Sequence, residues 1–590
     1  MFKRANKITS LLVAAASVMA LVPAYAADVK KVDSEDGTVY NAVAYKDGKF
    51  FVDGEINDDE EAYYVADGKF NKLDDVDSGD EANLFGEKYL DVSDGDYTVD
   101  LDKGSVTDDD VVGDTADDAA AALRKKIKDD TDDRYNEDKA DDIKKEEELT
   151  LIPGAKYGKV WYSTTYDQTA GKHANDTALS FNVFTDTDGN YIDADYNLGK
   201  LKVTTTATGA SADKTVTIEN TNDTYDTQSA DGIVGKDGLS ASVKQKAVLT
   251  QDADYIYRLV KVTVKTTNGA GITEINDIKI DGIQDSVFTR GTDGTDKTVS
   301  FTAIQKISKA QNSDDVDGAK YAKTVTTYAL SNDSGSKLDE ESLFIDNNGA
   351  AVTTTKYTVA NGKLIAYNTA INDNKKVTVD AYTLKTKGGY YYADEEDKSS
   401  EDCELSAQDK ATAAVQTDVD GNLWRLDGGY IYKFDNTDDW DKVYKVDGSF
   451  DEFSVYDKDN MVAWSEDDDV YSLIGGKSDD NNGGTTTPVT TAGWTQTSAG
   501  WTYTKADGTK ATGWLQDGGA WYYLKADGTM ATGWVQDGAT WYYLNGSGAM
   551  QTGWLNDNGT WYYLNGSGAM LSNTTTPDGY YVGANGAWVK

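Results

Sequence analysis

The chain has 590 residues, a formal net charge of −45, one cysteine and one histidine. Such an excess of acid argues against nucleic acid, whose binding releases counterions from clustered Lys and Arg, and against docking on anionic lipid. The single cysteine rules out an intramolecular disulfide, and the single histidine, His173, leaves no pair of His ligands for the zinc sites of amidases and peptidases.

Residues 1–26 have the layout of a secretory signal peptide. Lys3, Arg4 and Lys7 precede an apolar stretch at 8–21, and Ala24-Tyr25-Ala26 forms a small-x-small cleavage site. That segment carries three basic and no acidic residues, so the remainder stands at −48. No later apolar run approaches the ~18 residues needed to span a bilayer, and there is no apolar C-terminal tail. A secreted chain without a transmembrane segment is expected. Residues 27–104 are expected to form a small β-meander, in which two aromatic runs share the tetrapeptide DGKF, at 47–50 and 67–70. Residues 105–152 change texture. Alanines with Leu123 and Ile127 make a short helical stripe, and a charged helical or disordered spacer follows, broken at Pro153-Gly154.

From 153 to 404 the runs are period-two and rich in Val, Thr and Tyr, separated by Asn, Gly and Asp. Two β-sandwich-like domains are expected, 153–290 and 291–404. Residues 405–474 have the strand spacing of two propeller-type blades and are expected to be a small β domain, followed by a flexible linker at 475–490. The fold class is therefore mainly β and multidomain. Chemistry is sparse in this body. A Cys–His pair would have to join Cys403 to His173, and Asp402 and Glu404 would raise the thiol pKa rather than lower it. No catalytic residue is assigned; a glycosidase-type carboxylate pair in the β region, making the chain a wall hydrolase, is the alternative. Asp186, Asp188, Asn190, Asp193 and Asp195 are the best place to look for Ca2+. An EF-type loop would need an acid where Phe184 stands and a Glu at its end, so they read as turn residues, as do Asp314, Asp315 and Asp317. No metal ligand and no cofactor are assigned, and no motif names the partner of the acidic body.

The last hundred residues are periodic. Trp494, Trp514, Trp534 and Trp554 recur every twenty residues, as do Trp501, Trp521, Trp541 and Trp561. Such a period marks an array whose units bury their apolar faces against one another. Each block reads as a β-hairpin. With turns at Asp517-Gly518, Asp537-Gly538 and Asp557-Asn558, Trp514 would face Trp521, Trp534 would face Trp541 and Trp554 would face Trp561. Strand alternation puts Trp521 and Tyr523 on one face and Tyr522 and Leu524 on the other, where they read as stacking core. Two Trp and a Tyr converging between consecutive hairpins make a box of π-faces that attracts a quaternary ammonium, by about 2 kcal/mol or more when desolvated. A box without carboxylates suits choline, whose methyls also want apolar walls.

The blocks TGWLQDGGAWYYLKADGTMA and TGWLNDNGTWYYLNGSGAM closely resemble the choline-binding, or cell-wall-binding, repeats of Gram-positive surface proteins. The resemblance covers residues 491–590. It implies a β-hairpin solenoid of about five repeats, choline as ligand, and choline-bearing teichoic or lipoteichoic acid of the cell wall as partner. In that family a site takes two aromatics from one hairpin and one from the next, closed by Met or Leu. Here that implies Trp514, Trp521 and Tyr543 with Met530, then Trp534, Trp541 and Tyr563 with Met550. The outer sites would use Trp494, Trp501 and Tyr523, where Thr502 and Lys510 depart from the pattern, and Trp554 with Trp561, completed by Tyr580 or Tyr581. Related aromatic repeats bind glucan by stacking on sugar faces, which is the competing ligand.

Overall fold

A computed structural model describes residues 29–130, 149–168, 179–206, 213–220, 239–475 and 493–589, apart from 155, 267–269, 292–296, 317, 339–340, 347, 370–375, 397, 405–413, 466, 498–499, 506–509, 518–519, 526–527, 539, 546–547 and 558–559. The expected signal peptide, linker, charged spacer past Asp130 and His173 lie outside the described residues. The chain is mainly β, with one α-helix of any length among the described residues, and divides into two compact units, 1–478 and 479–590.

The first unit begins with the expected meander, Thr38–Tyr45, Lys49–Ile56, Asp59–Ala66 and Lys69–Lys72, paired in order. The DGKF segments supply two of its three turns: Asp67 and Gly68 both have positive φ, 51° and 68°, as a type I′ hairpin requires. A second four-stranded meander spans 82–107. These sheets are not a separate domain. Lys30–Lys31 adds in parallel to Trp440–Lys445, and Glu35–Asp36 pairs with Val470–Ile474. Val39, Ala42, Phe50 and Val52 share a core with Val462, Trp464 and Tyr471. The boundaries expected at 104 and 405 therefore isolate nothing: the N-terminal strands complete sheets whose other strands lie over 400 residues on, as when Thr38 bonds Asp469 across 431 residues.

The helix Val111–Asp130 is present, but its stripe is core. Ala116, Ala119, Ala120, Leu123 and Ile127 pack on Tyr162, Phe181, Val183 and Tyr191. Gly189 lets the sheet approach; a Cβ there, at φ +73°, would sit 2.5 Å from the Ala122 carbonyl carbon. The helix is thus part of the β body rather than a spacer.

The split expected at 290/291 falls inside one sheet. Leu239–Gln251, Tyr255–Thr266, Thr298–Ser308 and Val325–Ala329 continue through Tyr390–Glu395 to Lys376–Lys387, Lys363–Asn368 and Lys356–Ala360. The joint is a short parallel bridge, Ala329 to Tyr392, that no local pattern announces. At the centre Arg258, fully buried, pairs with buried Asp195 at 2.8 Å and reaches Gln305 at 2.8 and 3.0 Å.

The second unit is a run of four hairpins, Gly493–Thr497/Gly500–Thr504, Gly513–Asp517/Ala520–Leu524, Gly533–Asp537/Thr540–Leu544 and Gly553–Asp557/Thr560–Leu564, then a short pair, Thr574–Thr575/Tyr581–Val582. Backbone bonds tie repeat to repeat: Met550 N–H donates to Trp521 O and Met570 N–H to Trp541 O, each 2.8 Å. Leu524, Leu544 and Leu564 are almost fully buried, one per repeat.

Candidate functional site

Each hairpin turns one residue later than its Asp-Gly dipeptide suggested. Trp514 stands opposite Tyr523, and Gln516 opposite Trp521; the next two hairpins repeat this, with Trp534 opposite Tyr543 and Trp554 opposite Tyr563. The register moves by two residues in total, so the faces survive: both Trp and the second Tyr of WYY still share one side. The expected Trp-to-Trp pairing is replaced by a diagonal. The later turn leaves Asp537 and Asp557 in the strand, where they acquire a role.

That role is to hold the preceding tryptophan. The Trp514 indole N–H donates to the Asp537 carboxylate at 3.0 Å, Trp534 to Asp557 at 2.9 Å, and Trp554 to Asp578 at 2.7 Å. Hydrogen bonds from Thr576 and Trp554 hold the Asp578 carboxyl below its usual range. The indole's one polar group is thereby engaged at its edge, which leaves the π-face for an apolar or cationic guest. The Trp514, Trp534 and Trp554 boxes are thus not carboxylate-free as expected: each of the three has a carboxylate at its rim. The recurrence of Asp at 537 and 557, twenty-three residues after a GW tryptophan, was the available signal.

The rings meet at right angles. Trp514 lies 6.5 Å from Trp521 at 82°, 5.1 Å from Tyr523, and 4.7 Å from Tyr542 of the next hairpin at 70°. Trp534 repeats this with Trp541 at 6.4 Å, Tyr543 at 5.2 Å and Tyr562 at 4.9 Å. Trp554 meets Trp561, Tyr563 and, from the divergent last block, Tyr580 at 5.7 Å. In the first block Trp494 meets Tyr503 and Tyr522. The outer wall is open: Trp501, Trp521, Trp541 and Trp561 remain 37–42 % exposed, large values for indoles.

The ring that reaches across to the GW tryptophan from the next hairpin is Tyr542 or Tyr562, and Trp494 receives Tyr522, while Tyr523, Tyr543 and Tyr563 lie against the first tryptophan of their own hairpins. The reason is alternation: stacked hairpins present opposite faces to one another, so a ring meeting the Trp face must come from the other face of the following strand. Tyr522, Tyr542 and Tyr562, read as stacking core, are therefore walls as well. Met530 has its backbone beside Trp501, and Met550 is the one beside Trp521. Their side chains lie over glycines of the following block; a Cβ on Gly548 would fall 2.2 Å from Met530 Sδ, and one on Gly568 2.3 Å from Met550 Sδ.

Of the acids singled out in the first unit, Asp186, Asp193, Asp195 and Asp315 are committed to turns and pairing, and Asp317 lies outside the described residues. Asp186 accepts from the backbone of Asp188 and Asn190, Asp193 from that of Asp195 and Tyr196, and Asp195 from Arg258. Asp315 accepts from Gly318 N–H. Cys403 is buried, and burial, with Asp427, Asp402 and Glu404 nearby, pushes its thiol up to about 11 against the opposing pull of Arg425.

Two family models, each described as a choline-binding repeat, match residues 511–550 and 550–588. Among solved structures, the choline binding domain of Spr1274 in Streptococcus pneumoniae is 51% identical over 14% of this chain and 96% of its own, with a TM-score of 0.13. The multimodular pneumococcal cell wall endolysin from phage Cp-1, solved with choline, is 33% identical over 18% of this chain, with a TM-score of 0.14; the chain spans about a third, 31%, of that protein. Choline binding protein F from Streptococcus pneumoniae is 22% identical over 60% of this chain and 98% of its own, with a TM-score of 0.16. No curated protein sequence matches the chain. The matched segments coincide with the tryptophan boxes, and through its C-terminal repeats the chain belongs to the choline-binding repeat family.

Proposed function

We propose that this is a secreted protein held non-covalently on the cell wall by choline of teichoic or lipoteichoic acid, with its acidic β body displayed for adhesion, binding or scaffolding. The observation that carries the reading is the triple recurrence of one arrangement: an indole locked at its N–H by a carboxylate, two rings perpendicular to it, and an exposed tryptophan as the open wall. A trimethylammonium group fits such a corner because its charge is attracted to ring faces and its methyls need apolar contact. The rim carboxylate adds to the attraction at longer range. One box binds weakly; several on a polymer carrying many cholines gain by effective concentration.

The test is retention of the full chain on walls that carry choline and walls that lack it. Retention on the first alone, reversed by free choline, supports the reading. Release by dextran but not by choline would move the repeats to glucan. The body is taken as a display unit rather than a hydrolase; soluble wall fragments appearing during incubation would overturn that part.

A further inference from the structure

The last block of the array diverges in sequence, and the backbone shows where it rejoins the repeat. Tyr580, Val582 and Trp588 stand eighteen residues after Tyr562, Leu564 and Met570, where the other blocks use twenty. In three turns a methionine N–H donates to a tryptophan carbonyl of the earlier hairpin: Met530 to Trp501 at 2.7 Å, and Met550 to Trp521 and Met570 to Trp541 at 2.8 Å. Trp588 N–H makes the fourth bond of this kind, to Trp561 O at 2.8 Å. Met530, Met550 and Met570 bridge to Leu524, Leu544 and Leu564, and Trp588 bridges to Val582. The glycine two places earlier, Gly528, Gly548, Gly568 or Gly586, has φ of 83°, 82°, 79° or 78°, a turn conformation that glycine adopts without strain. Trp588 therefore fills a slot that elsewhere in the array holds a methionine.

That exchange changes the chemistry of one box. Beside Trp521 and Trp541 the slot carries a thioether, flexible and polarisable but without a π-face. Beside Trp561 it carries an indole. Trp588 lies 5.8 Å from Tyr580 at 89°, Tyr580 lies 5.7 Å from Trp554 at 81°, and Trp554 lies 6.4 Å from Trp561 at 80°. Four rings thus meet in succession at one junction. Asp578 holds the Trp554 indole N–H there as Asp537 and Asp557 hold theirs, so this box keeps the frame of the others and gains a ring. Packing of the turn does not call for an indole: Val582 is fully buried and closes the core, whereas Trp588 stays half-buried and Tyr580 is 48 % exposed. Ring surface is left for a guest.

We propose that Trp588 is a specificity-determining residue, which makes the junction of Trp554, Trp561 and Tyr580 the tightest choline site of the array and the one that best tells a quaternary ammonium from an uncharged group of the same shape. A thioether offers a trimethylammonium apolar contact alone. An indole offers the same contact and adds the attraction of the cation to the ring quadrupole, which is strongest for tryptophan. The assignment rests on the choline reading above and ranks its sites, which that reading leaves equal.

The experiment is calorimetric titration of the full chain with choline and with its uncharged isostere, in which a tert-butyl group replaces the trimethylammonium. Choline should show one site about ten-fold tighter than the rest, with the widest ratio of choline to isostere affinity at that site. In Trp588→Met, which puts into the slot the side chain it holds elsewhere, the number of sites should stay the same, the tight site should weaken by about ten-fold to join the others, and the ratio should shrink with it. Trp588→Phe keeps a ring and should retain part of the gain. Sites of equal affinity in the native chain, or a tight site that persists in Trp588→Met, would overturn the ranking and leave the choline reading standing. A tight site lost in Trp588→Met with the ratio unchanged would assign Trp588 to packing alone and overturn the proposal as well. Absence of choline binding by the native chain would sink the choline reading and the ranking together.

Discussion

In the repeat unit the contacts that matter join residues at a fixed offset: Trp514 reaches Asp537 across 23 residues, and Trp534 reaches Asp557 across the same interval. In the first unit the Ala44 amide is capped by Ser454 across 410 residues, and Gly48 by Asn460 across 412. A periodic array repeats one interface, so its stability is a sum of near-neighbour terms. The body spends its loop-closure entropy once on many distant pairings and recovers it in shared cores. One region should therefore fail locally when altered, and the other as a whole.

The largest effect expected is at Arg258. Arg258→Leu leaves Asp195 charged and buried without its partner, and should cost about 3–5 kcal/mol. The unfolding free energy of the body should fall by that amount, lowering its denaturant midpoint, while retention on choline is unaffected; joint loss would break the contrast. In the array, Leu544→Ala removes a fully buried side chain, at a cost of about 2–5 kcal/mol. Hydrogen exchange should then accelerate in the hairpins beside it and not in the body.

A smaller effect is expected from Asp537→Ala, which strips the Trp514 N–H of its acceptor at about 1 kcal/mol. Choline affinity should fall several-fold, and Asp537→Asn should restore part of it. The same bond has a pH signature at Asp578. Its carboxyl is held below the usual range in the folded chain, so the stabilisation is complete above the unfolded pKa and is lost as pH falls through the folded value. Retention should hold from pH 7 to 5 and weaken only in stronger acid. The smallest intervention is to label Cys403: buried, with its thiol pushed up to about 11, it should resist maleimide in the native chain and react once the body unfolds.

The same contrast explains what the sequence disclosed. The tail was legible because a twenty-residue period displays its own contacts, and period two fixed which face each ring takes. The contact of Tyr542 with Trp514, and the carboxylate that holds that indole, join one block to the next and are not displayed by any single block. In the body, the DGKF turns and the Ala-rich helix were local and were found. The parallel joint at Ala329, the N-terminal strands completing distant sheets and the ion pair at Arg258 have no local signature.

The central claim is that perpendicular rings, one locked by a carboxylate, make the slots that hold choline. The most direct measurement is calorimetric titration of choline into the full chain and into Trp534→Ala/Trp541→Ala, with strand content checked by circular dichroism. Loss of one binding site and its heat in the variant, with the hairpins still folded, is the predicted result. Unchanged stoichiometry and affinity in a folded variant would contradict it.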